Sequence, residues 1–324
     1  MIYIVAERFE FKLYFLIVVA LIILLFFAVS YICYRLTFAH SKKLDIPPHT
    51  IPSGEQYQSL KPRMTALIDD ALKIPYEEVY INSFDGLRLF GRYYEVSKNA
   101  PVQILFHGYR SNAIRDFSGG LKFDLDSGCN VLLVDQRAHG KSEGKAISFG
   151  ILERFDCLYW ARYVSKRCSG DTPIILTGMS MGAATVLMTS DLDLPKNVVG
   201  IIADCGYTSP KEIICKIIKQ LKYPLNPTYF FVRMGGIIYG RFDIEKSTPL
   251  KSLAKTDIPV LFIHGEDDRF VPCEMSRQNH KICRSQKQIV TVKNAGHGIS
   301  YLIDEKVYCT AVGDFLTKIG AFKI

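Results

Sequence analysis

The chain predicts an α/β fold, a mostly parallel central sheet with helices on both faces. Three observations carry that expectation: six short runs are continuously rather than alternately apolar, helix-length segments separate them, and a long uncharged stretch stands apart at the front. Continuous apolar runs mark strands buried on both faces, as in parallel sheets whose crossover helices cover each side. With 324 residues, 48% hydrophobic and 22% charged, the chain can bury one large core and is not disordered, collagenous or coiled-coil.

Residues 13–34, between Lys12 and Arg35, carry no charge. At about 1.5 Å per residue they span roughly 33 Å, enough to cross a hydrocarbon core. A cleaved signal peptide is the rival reading. Against it, Glu7 and Glu10 sit beside Arg8 and Lys12, the run is long, and only Ala28-Val29-Ser30 faintly matches a cleavage site. Residues 1–40 are expected to form an uncleaved membrane anchor. Residues 41–76 hold Pro47, Pro48, Pro52 and Pro62 with few large apolar residues, which predicts a stalk rather than a folded element.

The folded domain is expected over 77–324. Runs at 79–82 and 87–94 flank Phe84-Asp85-Gly86, a hairpin signal. Strands buried on both faces are expected at 102–106, 131–134, 174–177, 198–203, 260–263 and 288–292. A cap insertion is expected at about 209–247. It opens with Ser209-Pro210-Lys211-Glu212, a capping box with proline at the first helical position. Ile213, Ile214, Ile217, Ile218 and Leu221 then share a face opposite Lys216, Lys219 and Lys222, fit to pack on the domain or to meet an anionic membrane. Tyr223, Tyr229, Phe230, Phe231, Tyr239 and Phe242 follow, an aromatic set able to roof an apolar pocket.

The net charge of +8 is scattered, so no nucleic acid is expected. Nine cysteines, an odd number without zinc or redox spacing, are expected as reduced thiols. No H-E-x-x-H occurs and the histidines lack a helical metal spacing, so neither metal nor cofactor is expected. Gly140-Lys141-Ser142 resembles the end of a phosphate loop, but Asp135 occupies the place of its first glycine.

The chemistry lies where strands end. Run 174–177 leads into Gly178-Met179-Ser180-Met181-Gly182 and a helix-like segment, which is G-x-S-x-G in the strand–turn–helix setting of a nucleophile elbow. A serine on so sharp a turn is strained, and glycines on either side let strand and helix approach. Its hydroxyl needs a base, and the base an orienting carboxylate. Run 260–263 leads into His264-Gly265-Glu266-Asp267-Asp268, and the last strand into Gly296-His297-Gly298. The order Ser180, Asp268, His297 is the one such an elbow uses.

These motifs resemble the α/β-hydrolase superfamily of serine hydrolases. The matching elements are His107-Gly108-Tyr109, the stretch from Asp135 to Ser142, the elbow, the Gly265-x-x-Asp268-x-x-Val271-Pro272 acid turn and the Gly296-His297-Gly298 end. The chain is similar to bacterial membrane-anchored hydrolases labelled serine-aminopeptidase-like and to the eukaryotic Bem46-like group. It departs from them at Ala138, where many relatives carry glycine. The acid-turn register selects Asp268 over Asp267. The resemblance implies an oxyanion hole from the backbone N–H groups of Tyr109 and Met181. Asp204 reads as a loop-capping group, and His107, His139 and His264 as structural members of turns.

The expected function is a membrane-anchored serine hydrolase acting on an acyl ester or thioester. A peptidase acting on peptide-like substrates is the alternative within enzymes, and a non-catalytic binding module the alternative of another class. The expected location is the plasma membrane with the domain facing the cytoplasm. A fragment from about Met64 is expected to fold and work, since every triad residue lies beyond it.

Overall fold

The computed structural model describes residues 2–40, 45–168 and 170–322. In chain order its elements are α1 (Ile2–Thr37), α2 (Glu55–Gln58), α3 (Lys61–Lys73), β1 (Glu77–Asn82), β2 (Arg88–Tyr94), β3 (Val102–Phe106), α4 (Ala113–Asp126), β4 (Asn130–Asp135) and α5 (Glu153–Arg167). Then come β5 (Ile174–Met179), α6 (Met181–Thr189), β6 (Val198–Asp204), α7 (Pro210–Gln220), α8 (Leu225–Gly235) with a π-helical continuation over Gly236–Gly240, α9 (Pro249–Leu253) and β7 (Val260–Gly265). The chain ends with α10 (Cys273–Ile282), β8 (Lys287–Val292), α11 (Ser300–Ile303) and α12 (Glu305–Lys318).

One eight-stranded sheet runs β1-β2-β4-β3-β5-β6-β7-β8. The β1–β2 hairpin and the β2–β4 pair are antiparallel, and every other pair is parallel. Strands β3, β4, β6 and β7 are buried almost throughout, as continuous apolar runs require. The expectation of two buried faces fails at β8, five of whose six residues are half-buried. This strand closes the sheet edge, where neighbouring elements cover it less completely. Ala138, the departure from glycine, holds φ 65°, a left-handed conformation that costs a residue with a Cβ about 1–2 kcal/mol.

The stalk expectation is corrected for the described part of 41–76. Pro62 does not extend the chain but sits in the first turn of α3, where its missing N–H costs nothing. Met64, Ile68 and Ala71 follow at helical spacing and are buried on the domain. Residues 41–44 of that stretch lie outside the described residues.

Of the two readings of the cap helix, packing on the domain is the one the structure carries. The isoleucines of α7 face inward, with Ile213, Ile214 and Ile218 buried, and Leu221 alone of that set is exposed. Among the described residues, none of these aromatic side chains lines the cavity at Ser180. Phe230 and Phe231 pack on Phe26 of α1, and Tyr239 packs on Tyr31 and Tyr34. The end of α1 is also bonded to the domain. Phe38 is fully buried, Ile147 donates its N–H to the Phe38 carbonyl, and Arg110 donates to the Leu36 and Ala39 carbonyls.

Candidate active site

The site is assembled at the carboxyl ends of β5, β7 and β8, which lead to Ser180, Asp268 and His297, with Asp204 at the end of β6 beside them. Between β5 and α6, Ser180 adopts φ 56° and ψ −112°, a conformation costing about 1–3 kcal/mol and tolerated only where surroundings impose it. The surroundings do so here. The Ser180 N–H donates to the Asp204 carbonyl at 2.8 Å. A Cβ at Gly178 would collide with the Gly182 carbonyl, and one at Gly182 with the carbonyls of Phe106 and His107. The glycines of the elbow are needed so that α6 can start against β3.

Asp268 follows β7 with its side chain fully buried. One carboxylate oxygen accepts the N–H groups of Phe270 and Val271, both at 2.8 Å, so the turn itself aims the group. The other accepts from His297 Nδ1 at 2.7 Å and from His264 Nε2 at 3.2 Å. Burial opposes ionisation of Asp268, but the hydrogen bonds from the two imidazoles outweigh it and hold the carboxyl well below the usual carboxylate range. An acceptor-only carboxylate fixes the proton of His297 on Nδ1 and leaves Nε2 to accept. That atom faces Ser180 Oγ at 3.0 Å. Asp267 takes no part, so of the two adjacent acids the second meets the histidine.

Three positioning residues lay beyond sequence reasoning. His264, assigned only to a turn, lies between Ser276 Oγ at 2.7 Å and the Asp268 carboxylate. Asp116 accepts the Gly108 N–H at 2.8 Å and the Ser111 hydroxyl, fixing the His107-Gly108-Tyr109 turn beside Ser180. Its only signal was an acid in the first turn of the helix after that motif. Tyr57, from the supposed stalk, donates its hydroxyl to the His297 carbonyl at 2.8 Å.

A cavity of about 370 Å³ opens from Ser180, within the range of small-molecule sites. Its walls come from residues 52–64, from Phe117 to Gly120 of α4 and from Tyr301 and Leu302, with Phe270 and Tyr109 near the serine. Tyr109 also donates its hydroxyl to the Thr37 carbonyl at the end of α1. Met181 opens α6 directly behind the nucleophile, so its N–H is one of the helix-start donors free of intrahelical partners.

Asp204, read from the sequence as a loop-capping group, lines the cavity and makes no hydrogen bond to His297. Its carboxyl is pushed up to about 6 by burial, against the pull of His264 and His297, and its Oδ1 has no partner among the described residues. His107 and His139 bond to turn backbone, as their motifs imply. Cys205, Asp268 and His297 bring ligand atoms within 4.8 Å of one another. They form a poor metal set, because burial raises the thiol well above its ordinary value and the other two already bond each other.

Comparison with known proteins shows the family and the fold. A sequence model described as the alpha/beta hydrolase family matches residues 103–308. The chain is 28% identical to the protein YqkD of Bacillus subtilis over 67% of its own length and 71% of that protein. It is 24% identical to the protein bem46 of Schizosaccharomyces pombe over 90% of each chain. A crystal form of the Pyrococcus furiosus esterase Pf2001 superposes with a TM-score of 0.63 at 23% identity, covering 77% of this chain and 93% of that one. At that identity the structural likeness speaks for the fold.

Proposed function

Because this chain belongs to the alpha/beta hydrolase family, we propose that it is a membrane-anchored serine hydrolase that cleaves an ester or thioester through an acyl-enzyme. The observation that carries the reading is the continuous relay from Ser180 Oγ to His297 Nε2 at 3.0 Å and from His297 Nδ1 to Asp268 at 2.7 Å. In the first step Ser180 Oγ bonds to the acyl carbon while its proton passes to His297 Nε2. The backbone N–H groups of Met181 and Tyr109 donate to the oxyanion that forms. His297 then gives its proton to the departing oxygen or sulfur. Water repeats the sequence, and the acid leaves with Ser180 restored. Asp268 keeps His297 in the useful tautomer throughout.

An apolar-walled cavity and a helix able to cross a membrane suit an apolar acyl group. Asp204 favours amide cleavage as the second reading. It is an acid among the residues that line the cavity, where its charge would attract a substrate ammonium, as an aminopeptidase requires. Residues 13–34 are the proposed span. The domain is assigned to the cytoplasmic side of the plasma membrane, because eight of nine cysteines follow the span and all nine are free thiols, which an oxidising compartment would not preserve. Assay of the purified protein against p-nitrophenyl esters of graded chain length and against aminoacyl p-nitroanilides tests the reading. Ester turnover that peaks at one chain length supports it, and cleavage confined to the anilides replaces it with the peptidase.

A further inference from the structure

We infer that the cap is seated in the membrane beside the anchor, with the exposed apolar residues Leu221, Tyr223, Phe230 and Ile237 immersed in the leaflet next to the domain. The inference rests on residues 13–34 crossing the bilayer, and it follows from the level of that helix at which the cap is held.

A hydrocarbon core takes up about 20 helical residues. The uncharged run offers 22 between Lys12 and Arg35, so the span has little freedom to slide along the membrane normal. Phe26 stands nine residues before Arg35, about 13 Å down the axis at 1.5 Å per residue. Helix α8 is packed at that level, with the ring of Phe26 6.2 Å from that of Phe230 and 5.9 Å from that of Phe231. One to two turns higher, a Cβ on Gly235 would come within 2.6 Å of the Ser30 carbonyl, so the two helices meet backbone to backbone. Tyr239 lies 5.1 Å from Tyr31 and donates its hydroxyl to the Phe27 carbonyl.

One leaflet contributes about 15 Å to the hydrocarbon core. The level of Phe26 therefore lies inside it, and any tilt of α1 raises that level only modestly. A helix clamped there cannot be in bulk water. This accounts for side chains that would be costly on a soluble domain: Leu221 and Tyr223 are each 61% exposed and Phe230 49%. Lys219, Lys222 and Arg241 are exposed around them.

The consequence for the site is geometric. Tyr109, beside Ser180, is bonded to Thr37 at the top of the span, and Lys216 of α7 donates to the carbonyls of Arg269 and Phe270 at the cavity rim. The cavity is thus tied to the membrane surface by both the anchor and the cap.

Depth-dependent fluorescence quenching tests the inference on the full chain reconstituted in phosphatidylcholine–phosphatidylglycerol vesicles. Trp160, the single native tryptophan, is 1% exposed and serves as an unquenched background. The substitutions are Phe230→Trp and Tyr223→Trp in the cap, with Leu21→Trp reporting on the span. With lipids brominated midway along the acyl chains, both cap tryptophans are expected to lose most of their added emission and to resist aqueous iodide. Quenching of Leu21→Trp alone would overturn the inference while leaving the span intact, whether the cap tryptophans are open to iodide or shielded by a soluble partner. Absence of quenching at all three sites would overturn the span and the inference with it. If Phe230→Trp fails to fold, Tyr223→Trp decides by the same criterion.

Discussion

Ser180 is an ordinary hydroxyl until the bonds around it are counted, and its reactivity belongs to the set rather than to the residue. Ser180→Ala and His297→Ala should each lower ester turnover by several orders of magnitude, and the double substitution should cost little more, because the two groups act as a unit. Additive losses measured in kcat would break the assignment. Asp268→Asn should leave the protein folded, by circular dichroism and thermal melting, yet lower kcat by about 10⁴, since an amide can turn the imidazole to the wrong tautomer. Asp267→Asn should be nearly silent, for that side chain does not touch His297. Greater damage from Asp267→Asn would move the acid by one residue. The three residues proposed as a triad were legible because each is announced by its chain neighbours: glycines around Ser180, the turn after β7 for Asp268, and glycines around His297. His264, Asp116 and Tyr57 were not, because a positioning role depends on where the partner lies. For Tyr57 the partner is 240 residues away.

The helices before the sheet change what must be kept for activity. A fragment beginning at Arg35 retains the buried Phe38, Tyr57 and the cavity wall, and should hydrolyse a soluble ester. One beginning at Met64 loses Tyr57 and that wall, and kcat/KM should fall by about 10²-fold, the usual cost of a misplaced reacting group. Equal activity in the two fragments would remove residues 35–63 from the site. Pro62 explains why this region read as a stalk, since the same residue that extends a linker also starts a helix. Beneath the sheet, α4 and β3 are joined by Gln103, which donates to Asp124 Oδ1 at 2.7 Å. Burial pushes Asp124 up to about 7, with the Gln103 hydrogen bond opposing. The unfolded chain releases that proton near pH 3.9 and the native protein holds it to about pH 7, so the native state binds the extra proton across this window. Stability contributed by this group is therefore full below about pH 4 and is lost as pH rises through 7, by up to ~4 kcal/mol over some three pH units. Asp124→Asn keeps an acceptor for Gln103, so urea unfolding of the fragment from Arg35 at pH 5 and pH 8 should show a smaller loss than in the parent. An unchanged loss would mean that Asp124 ionises normally in the folded state.

Helix α1, the cap and the wall of the cavity are packed and bonded to one another as one assembly. The mostly parallel sheet, and the end of it that carries the motifs, could be read from the sequence because continuous apolar runs and turn motifs are local signals; the strand order could not. The role of the cap could not, since Phe230, Phe231 and Tyr239 read equally well as a pocket roof until α1 is seen against them. β8 misled for a similar reason, because position in a sheet is decided by pairing rather than by composition. The central claim remains that Ser180 is an activated nucleophile within this assembly. Labelling of the native full-length protein with a fluorophosphonate, followed by mass spectrometry of its peptides, tests that claim most directly: the serine oxygen displaces fluoride from phosphorus only if His297 takes its proton. The account predicts one phosphonylated residue, Ser180, with labelling lost in His297→Ala. An unlabelled Ser180 in the folded protein, or labelling indifferent to His297, would contradict it.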